Sequence, residues 1–400
     1  MENKKTEIKN AIFLGTICSI AYFSVYVSRN VLGTVSPEMI NSGFLTTSQI
    51  GTLSSIFFIT YAVGQLINGI IGDNVKAVYM MFFGLALSGV CCYLFPLLPA
   101  VPIVIYLVYG IMGFFLSMIY APMTKTVSEN TKQIYAVRCG VGYSFAAGFG
   151  SPIAGILAVF LAWTGVFKVS GLFLIVCAVG IFFSFKYLEK TSAIKYHKVE
   201  KEKGSKPQYS VLLKHQIIKF TLVSVITGIV RTTVVFWLPT YTTQHLNFSE
   251  KSSALIFTIS TLVVSVSSFF AVFFYELLKR DMSLSLFLFF VSSAICFGLV
   301  ILVPSAVMNI VFLVLAIFSS NCAASILWSI YCVSLKETGL VSGATGFLDF
   351  MSYMAAAVSS KLFAGAVDSI GWNGLLVTWF IIGVFGILIS VPTKRKVQAQ

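Results

Sequence analysis

Residues 173–185 read FLIVCAVGIFFSF, a run with no charged residue and no alternation of polar and apolar positions. A strand of a membrane barrel would alternate over about ten residues. This run instead continues outward, over about 164–188, to the roughly 20 apolar residues a helix needs to cross the hydrocarbon core. The same reading recurs along the chain at about 11–35, 46–71, 77–97, 102–128, 134–160, 164–188, 215–242, 252–277, 283–303, 306–335, 341–367 and 372–392. Several runs nearly touch, as at FPLLPAVP, 95–102, which suits tight turns between packed helices. The expected fold is an all-α membrane protein of twelve transmembrane helices. Composition agrees: 58% of the 400 residues are hydrophobic and only 10% charged, with mean hydropathy +0.92. Soluble domains carry about 25% charged residues, so a soluble enzyme and a disordered chain are both excluded.

Lys and Arg number 27 against 14 Asp and Glu, a net charge of +13. Their placement argues for membrane orientation and against a nucleic-acid partner. With the N-terminus inside, the inner ends and loops hold Lys4, Lys5, Lys9, Lys76, Lys125, Lys132 and Arg138, the central loop, and Lys279, Arg280, Lys336, Lys394, Arg395 and Lys396. The outer loops hold only Lys168 and Lys251. By the positive-inside rule both termini are expected to be cytoplasmic, and the lack of organelle-targeting features leads to the expectation of a bacterial inner (plasma) membrane. The start, MENKKTEIKN, reads as a cytoplasmic end before a retained helix, not as a signal peptide. The polar stretch 189–214 divides the spans six and six, giving an N-terminal bundle over 1–188, a linker over 189–214 and a C-terminal bundle over 215–400. All eight cysteines fall in apolar segments and read as buried thiols, with neither metal-ligand spacing nor a disulfide pattern.

The halves repeat weakly. Span 1 carries RNVLGTVSP, Arg29 to Pro37, and span 7 carries RTTVVFWLP, Arg231 to Pro239. In each, an arginine stands eight residues before a proline, about 12 Å along a helix. AWTGVF, with Trp163 and Gly165, likewise matches GWNGLL, with Trp372 and Gly374. Two bundles related by a pseudo-twofold axis along the membrane normal are therefore expected, with Arg29 and Arg231 facing across a central cavity. An arginine in hydrocarbon costs from about 2.5 kcal/mol upward. Two facing guanidiniums repel unless an anion lies between them, and their forked donors suit phosphate or carboxylate. Tyr22 and Tyr26 share the helix face of Arg29. Within span 11, Asp349 and Lys361 are candidates for coupling; twelve residues, about 18 Å, separate them. Asp73, behind Gly69, and Lys125 are candidates for a cytoplasmic gate. The glycine-rich GVGYSFAAGFGSPIAG, 140–155, allows close helix packing. His197, His215 and His245 form no cluster, so neither an enzyme nor a metal or other cofactor is expected.

Twelve spans in two halves, with Gly69 and Asp73 as G-x-x-x-D, resemble the major facilitator superfamily. YxxxYxxR (Tyr22, Tyr26, Arg29), RTTVVFWLPTY at 231–241 and AVDSIGWNG at 366–374 resemble the organophosphate:phosphate antiporters, the family of glycerol-3-phosphate and hexose-6-phosphate carriers. The resemblance implies the major facilitator fold, Arg29 and Arg231 clamping a phosphoryl group, and exchange for inorganic phosphate by alternating access. It also marks departures. Asn74 stands where arginine is usual, Gln65 where glycerol-phosphate carriers have lysine, Phe145 where they have histidine, and Gly228 where they have tyrosine. The expected function is secondary transport of a small organic anion by a monomer in the lipid bilayer. A phosphate ester comes first, a proton-coupled carboxylate symporter using Asp349 second, and a transporter-like sensor of sugar phosphates third.

Overall fold

The structure is a computed structural model and describes residues 2–71, 75–195, 210–335 and 341–392. Among these, helices account for the ordered elements and there is no strand. In chain order they are α1 Glu2–Asn41, α2 Thr47–Ile71, α3 Ala77–Leu94, α4 Pro102–Leu116, α5 Tyr120–Asn130, α6 Gln133–Phe160, α7 Trp163–Lys190 and the short α8 Ser210–Lys214. There follow α9 Ile217–Gly228, α10 Val235–Gln244, α11 Glu250–Ser265, α12 Ser267–Leu277, α13 Met282–Leu302, α14 Ala306–Ile326, α15 Cys332–Ser334 and α16 Val341–Ser390. Two π-helical segments, Ile229–Val234 and Leu327–Tyr331, interrupt the seventh and tenth spans.

Eleven described helical stretches are long and apolar enough to cross a membrane, and the last of them, Ala344–Ser390, covers two expected spans. α16 has 50 residues, about 75 Å at helical rise and far more than the ~30 Å hydrocarbon core. Its break is Gly371, at φ 69° and ψ 179°. Only glycine adopts that conformation cheaply, so the chain reverses there without a loop. Twelve crossings result, as the hydropathy pattern predicts.

The chain divides into two compact units. The first comprises Met1–Gly204 and Phe236–Ser265. Within it α1 lies along α6 and α7, α2 along α4, α3 along α7, and α11 along α6. Small residues permit these approaches, because in lipid helices associate by close packing rather than by the hydrophobic effect. A Cβ on Gly171 would stand 2.5 Å from Tyr93 N and 2.7 Å from Gly89 O, so α3 and α7 meet backbone to backbone. Glu38 of α1 accepts a 2.7 Å hydrogen bond from the Trp163 backbone N–H, capping α7. Phe236–Ser265 joins this unit through similar seams. Gly33 fits against Phe236, Ser36 and Thr240 share a 2.8 Å hydroxyl bond, and Asn41 donates to Glu250 at 2.7 Å.

The second unit comprises Ser205–Val235 and Val266–Gln400. α13 packs on α14 and α16, α9 on α16, and α12 on α14. Phe220 and Tyr331 stack at 3.5 Å, and the Tyr331 hydroxyl donates to the His215 carbonyl at 3.0 Å. The eight cysteines are free, six of them buried and two half-buried.

The glycine seams give a test in one helix. Gly171→Ala is expected to lower the melting temperature in detergent, by the roughly 1–3 kcal/mol of an overpacked core position. Gly180, on the same helix with nothing within 4 Å of its Cβ position, should accept alanine without loss, with a gain of up to about 1 kcal/mol from helix propensity. Thermal unfolding of the two variants side by side is the measurement.

Candidate functional site

In the first unit the site is built on α1, α2, α5 and α6. Arg29 stands half-buried on α1. Three rings surround its guanidinium carbon: Tyr26 at 5.3 Å, Phe58 at 5.5 Å and Tyr61 at 5.5 Å to the ring centroids. Tyr26 comes from the preceding turn, and Phe58 and Tyr61 come from α2, where both are buried. Such contacts stabilise a cation by about 0.5–2 kcal/mol each, more where water is excluded.

Below Arg29 the tyrosines continue. Tyr22 meets Tyr26 at 5.0 Å, Tyr120 at 5.3 Å and Tyr143 at 6.2 Å, and Tyr120 meets Tyr143 at 6.4 Å. Tyr143 is buried on α6, whereas Tyr120 is exposed and Tyr22 and Tyr26 are half-exposed. The group therefore has a packed back and an open front. Tyr120 takes its place from a break in the fourth span. α4 stops at Leu116, Met118 N–H bonds Phe115 O at 3.1 Å, and α5 starts at Tyr120. Pro122, in the first turn of α5, cannot donate to a continuing helix, which accounts for the restart. Asn68 of α2 donates to Ser117 Oγ at 2.8 Å and so ties the break to α2.

Asn30, next to Arg29, fixes the register of α1 against α6. Its Nδ2 donates to Tyr26 O at 2.7 Å and to Ser151 Oγ at 2.9 Å. Gly150 allows the approach, since a Cβ there would lie 2.6 Å from Tyr26 Cβ.

In the second unit Arg231 is half-buried within the π-helical segment Ile229–Val234. Such segments are rare and concentrate at functional sites, because the wider turn displaces side chains from regular helical positions. Thr233 Oγ1 donates to Ala356 O at 3.2 Å and lies 2.9 Å from Ser359 Oγ, joining this segment to α16. Gly228, just before it, faces α16, and a Cβ would stand 2.7 Å from Ser352 O.

The sequence-predicted residues fall as follows. Tyr22, Tyr26 and Arg29 come together in the first unit, and Arg231 lies in the second. Asp349, half-buried on α16, is a neighbour of Cys332. Lys361 is exposed on α16. Lys125 is half-buried on α5, and Asp73 lies outside the described residues. Phe145 is 52% exposed and packs on Phe149 at 4.7 Å, apart from the tyrosine group. At the end of α10, beyond the span, burial pushes the His245 imidazole below its ordinary pKa. Phe58, Tyr61, Asn30, Tyr120 and Tyr143 were not singled out by sequence. A signal existed only for Tyr120, in the proline two residues after it.

A family model described as Major Facilitator Superfamily matches residues 18–360. The membrane sensor protein UhpC of Salmonella typhimurium is 40% identical over 76 residues, which are 19% of this chain and 17% of that one. The chain thus spans about a sixth of the length of that relative. The hexuronate transporter of Bacillus subtilis is 22% identical over 93% of this chain and 92% of its own. A probable hexose phosphate transport protein of Chlamydia trachomatis is 21% identical over 39% of this chain and 35% of its own. The crystal structure of a D-xylose-proton symporter superposes with a TM-score of 0.75 at 13% identity, covering 95% of this chain and 96% of that one, and shares the fold.

The support beneath Arg29 can be tested by stability. Asn30→Ala removes two hydrogen bonds and is expected to destabilise the protein by about 1–3 kcal/mol. Ser151→Ala removes one of them and should cost less. Thermal unfolding of the single and double variants should give non-additive losses, as for groups in one network.

Proposed function

This chain belongs to the Major Facilitator Superfamily, and on that premise we propose that it is a secondary transporter carrying a hexose-sized organic anion, a sugar phosphate exchanged for inorganic phosphate. It is a multi-pass membrane transporter by family, not an enzyme. In this reading Arg29 and Arg231 each bind the phosphoryl group through paired N–H donors, one arginine from each half of the chain. Binding of a dianion neutralises both cations, and the loaded protein then changes access from one side of the membrane to the other. The empty protein keeps its two positive charges and crosses slowly, which makes transport an exchange.

The observation that carries this reading is the aromatic surround of Arg29. Three rings at 5.3–5.5 Å stabilise a cation at this place in the first span, the kind of group that binds an anion. The tyrosines beside it suit the remainder of a sugar phosphate. A hexose ring offers an apolar C–H face to Tyr22 and Tyr120, and its hydroxyls meet phenolic hydroxyls. The names of the hexuronate and hexose phosphate relatives are in keeping with a six-carbon ring. The charge asymmetry of the loops supports a cytoplasmic position for both termini.

A carboxylate in place of the phosphoryl group is the second reading, favoured by the hexuronate relative, which aligns over nearly the whole chain. Proteoliposomes separate the two. Uptake of hexose 6-phosphate is expected to require phosphate inside the vesicle, and Arg29→Lys and Arg231→Lys should each lower it about a hundredfold, the ~3 kcal/mol of a lost charge-assisted pair. Wild-type rates in either variant would overturn the paired-donor role. Hexuronate uptake driven by a pH gradient without internal phosphate would select the second reading. Ligand binding with no flux would mark a sensor instead.

The tyrosine platform has its own test. Tyr120→Ala should weaken hexose 6-phosphate binding about tenfold, the ~1.4 kcal/mol expected of one stacked ring. Inorganic phosphate, which has no ring, should bind as before in calorimetry.

A further inference from the structure

A second concavity lies on the first unit, lined by Tyr135 and by none of Tyr22, Tyr26, Tyr120 and Tyr143. It is a groove of about 450 Å³ along the seam of α1 and α6. Ile8, Ile12, Ile20 and Phe23 form its apolar wall, and Arg138 stands at its edge. The floor is built of small residues. Gly15 lies under Cys139, whose thiol contacts Ala11 O at 3.5 Å, and Gly142 faces Ser19. The groove is open: Ile12 is 64% and Ile20 46% exposed, and Arg138 is exposed as well.

This is not the anion site seen from behind. On α1 the face of Tyr22, Tyr26 and Arg29 and the row Ile12, Thr16, Ile20 and Phe23 are turned roughly a third of a turn apart at 100° per residue. The two helices run in parallel, with Gly15 beside Cys139, Ser19 beside Gly142 and Tyr26 beside Gly150. Arg138 is therefore level with Ile12 to Gly15. From that level to Phe23 the groove extends about 12–16 Å at helical rise. One leaflet of the hydrocarbon core is about 15 Å deep.

Charge selects the occupant. The end of the seam that holds Arg138 also carries Lys9 and Lys132, against Glu7, which pairs with Lys132 at 2.6 Å and raises its pKa. We propose that this groove binds an anionic phospholipid, its headgroup phosphate on Arg138 and one acyl chain laid along Ile12 to Phe23. A basic site between membrane helices at headgroup level is the chemistry that holds such lipids. Free phosphate would meet Arg138 but leave the apolar wall uncovered, and a zwitterionic lipid would fill the wall without matching the charge. The lipid would brace α1 against α6, the pair that carries Arg29 and Tyr143.

Native mass spectrometry of the detergent-solubilised full chain tests this, with phosphatidylglycerol, phosphatidylcholine and inorganic phosphate titrated separately. The wild type should retain one phosphatidylglycerol at least fivefold more strongly than phosphatidylcholine, and inorganic phosphate should not displace it. Arg138→Gln, on an exposed side chain, should abolish that preference while phosphatidylcholine retention stays the same. Thr16→Trp, which fills the groove, should remove the bound lipid altogether, and lipid-free melting temperatures report whether each variant is folded. Equal retention of the two lipids by the wild type, an Arg138→Gln variant that still discriminates, displacement by phosphate, or a second copy of the chain seated there in place of lipid would each overturn the proposal. If Thr16→Trp does not fold, the Arg138→Gln comparison decides alone.

Discussion

A half-buried guanidinium inside a membrane span has lost part of its water, and the protein must supply stabilisation in its place. The cost of placing arginine in hydrocarbon starts at about 2.5 kcal/mol. At Arg29 three aromatic rings within 5.5 Å offset a cost of that size at about 0.5–2 kcal/mol each. Two of the rings belong to α2, so the arginine depends on where α2 stands relative to α1. α2 in turn is set by α4, where a Cβ on Gly113 would come within 2.8 Å of Phe57 O, one residue from the Phe58 ring. The placement of one charge thus reaches back through a ring, a helix and a glycine.

Backbone proximity recurs wherever the structure needs precision. The Gly89–Gly171 contact joins α3 to α7, Gly150 joins α6 to α1, and Gly228 joins α9 to α16. Apolar side chains gain little by leaving lipid for another apolar surface, so van der Waals closeness and a few buried hydrogen bonds carry helix association. Asn30, Asn68 and Thr233 supply such bonds beside Arg29, the α4–α5 break and the π segment respectively. The polar residues within these spans therefore stand where registration matters.

The spans were legible because each helix must satisfy its own backbone in lipid, which forces a long apolar run for every crossing. Read boundaries such as 77–97 and 283–303 fall within a residue of Ala77–Leu97 and Met282–Leu302. Gly371 opens GWNGLL, the segment that matches AWTGVF of the first half, and its positive φ is what separates the last two spans with no loop between them. Arg29, Tyr22 and Tyr26 were legible because they share one helix face. Phe58 and Tyr61 were not, since their role depends on a second helix and aromatic residues are common in any span. The π segment at Arg231 was hidden for a different reason: it is a change in backbone winding, and IVRTTV has no proline or glycine of its own to announce it.

Gly228 changes how the departures from the antiporter pattern should be understood. Read alone, a glycine where relatives have tyrosine is a lost side chain. The structure gives it a positive role, since a Cβ would meet Ser352 O at 2.7 Å and a tyrosine could enter only by driving α9 from α16. The approach it permits lies one turn from Arg231 and leads directly into the π segment. In this chain, then, backbone contact occupies the place of an aromatic recognition group in the second unit. In the first unit two of the grouped tyrosines, Tyr120 and Tyr143, come from helices other than the one bearing the motif. On the proposed reading, the tyrosines gathered by three helices of the first unit meet the ring of the substrate.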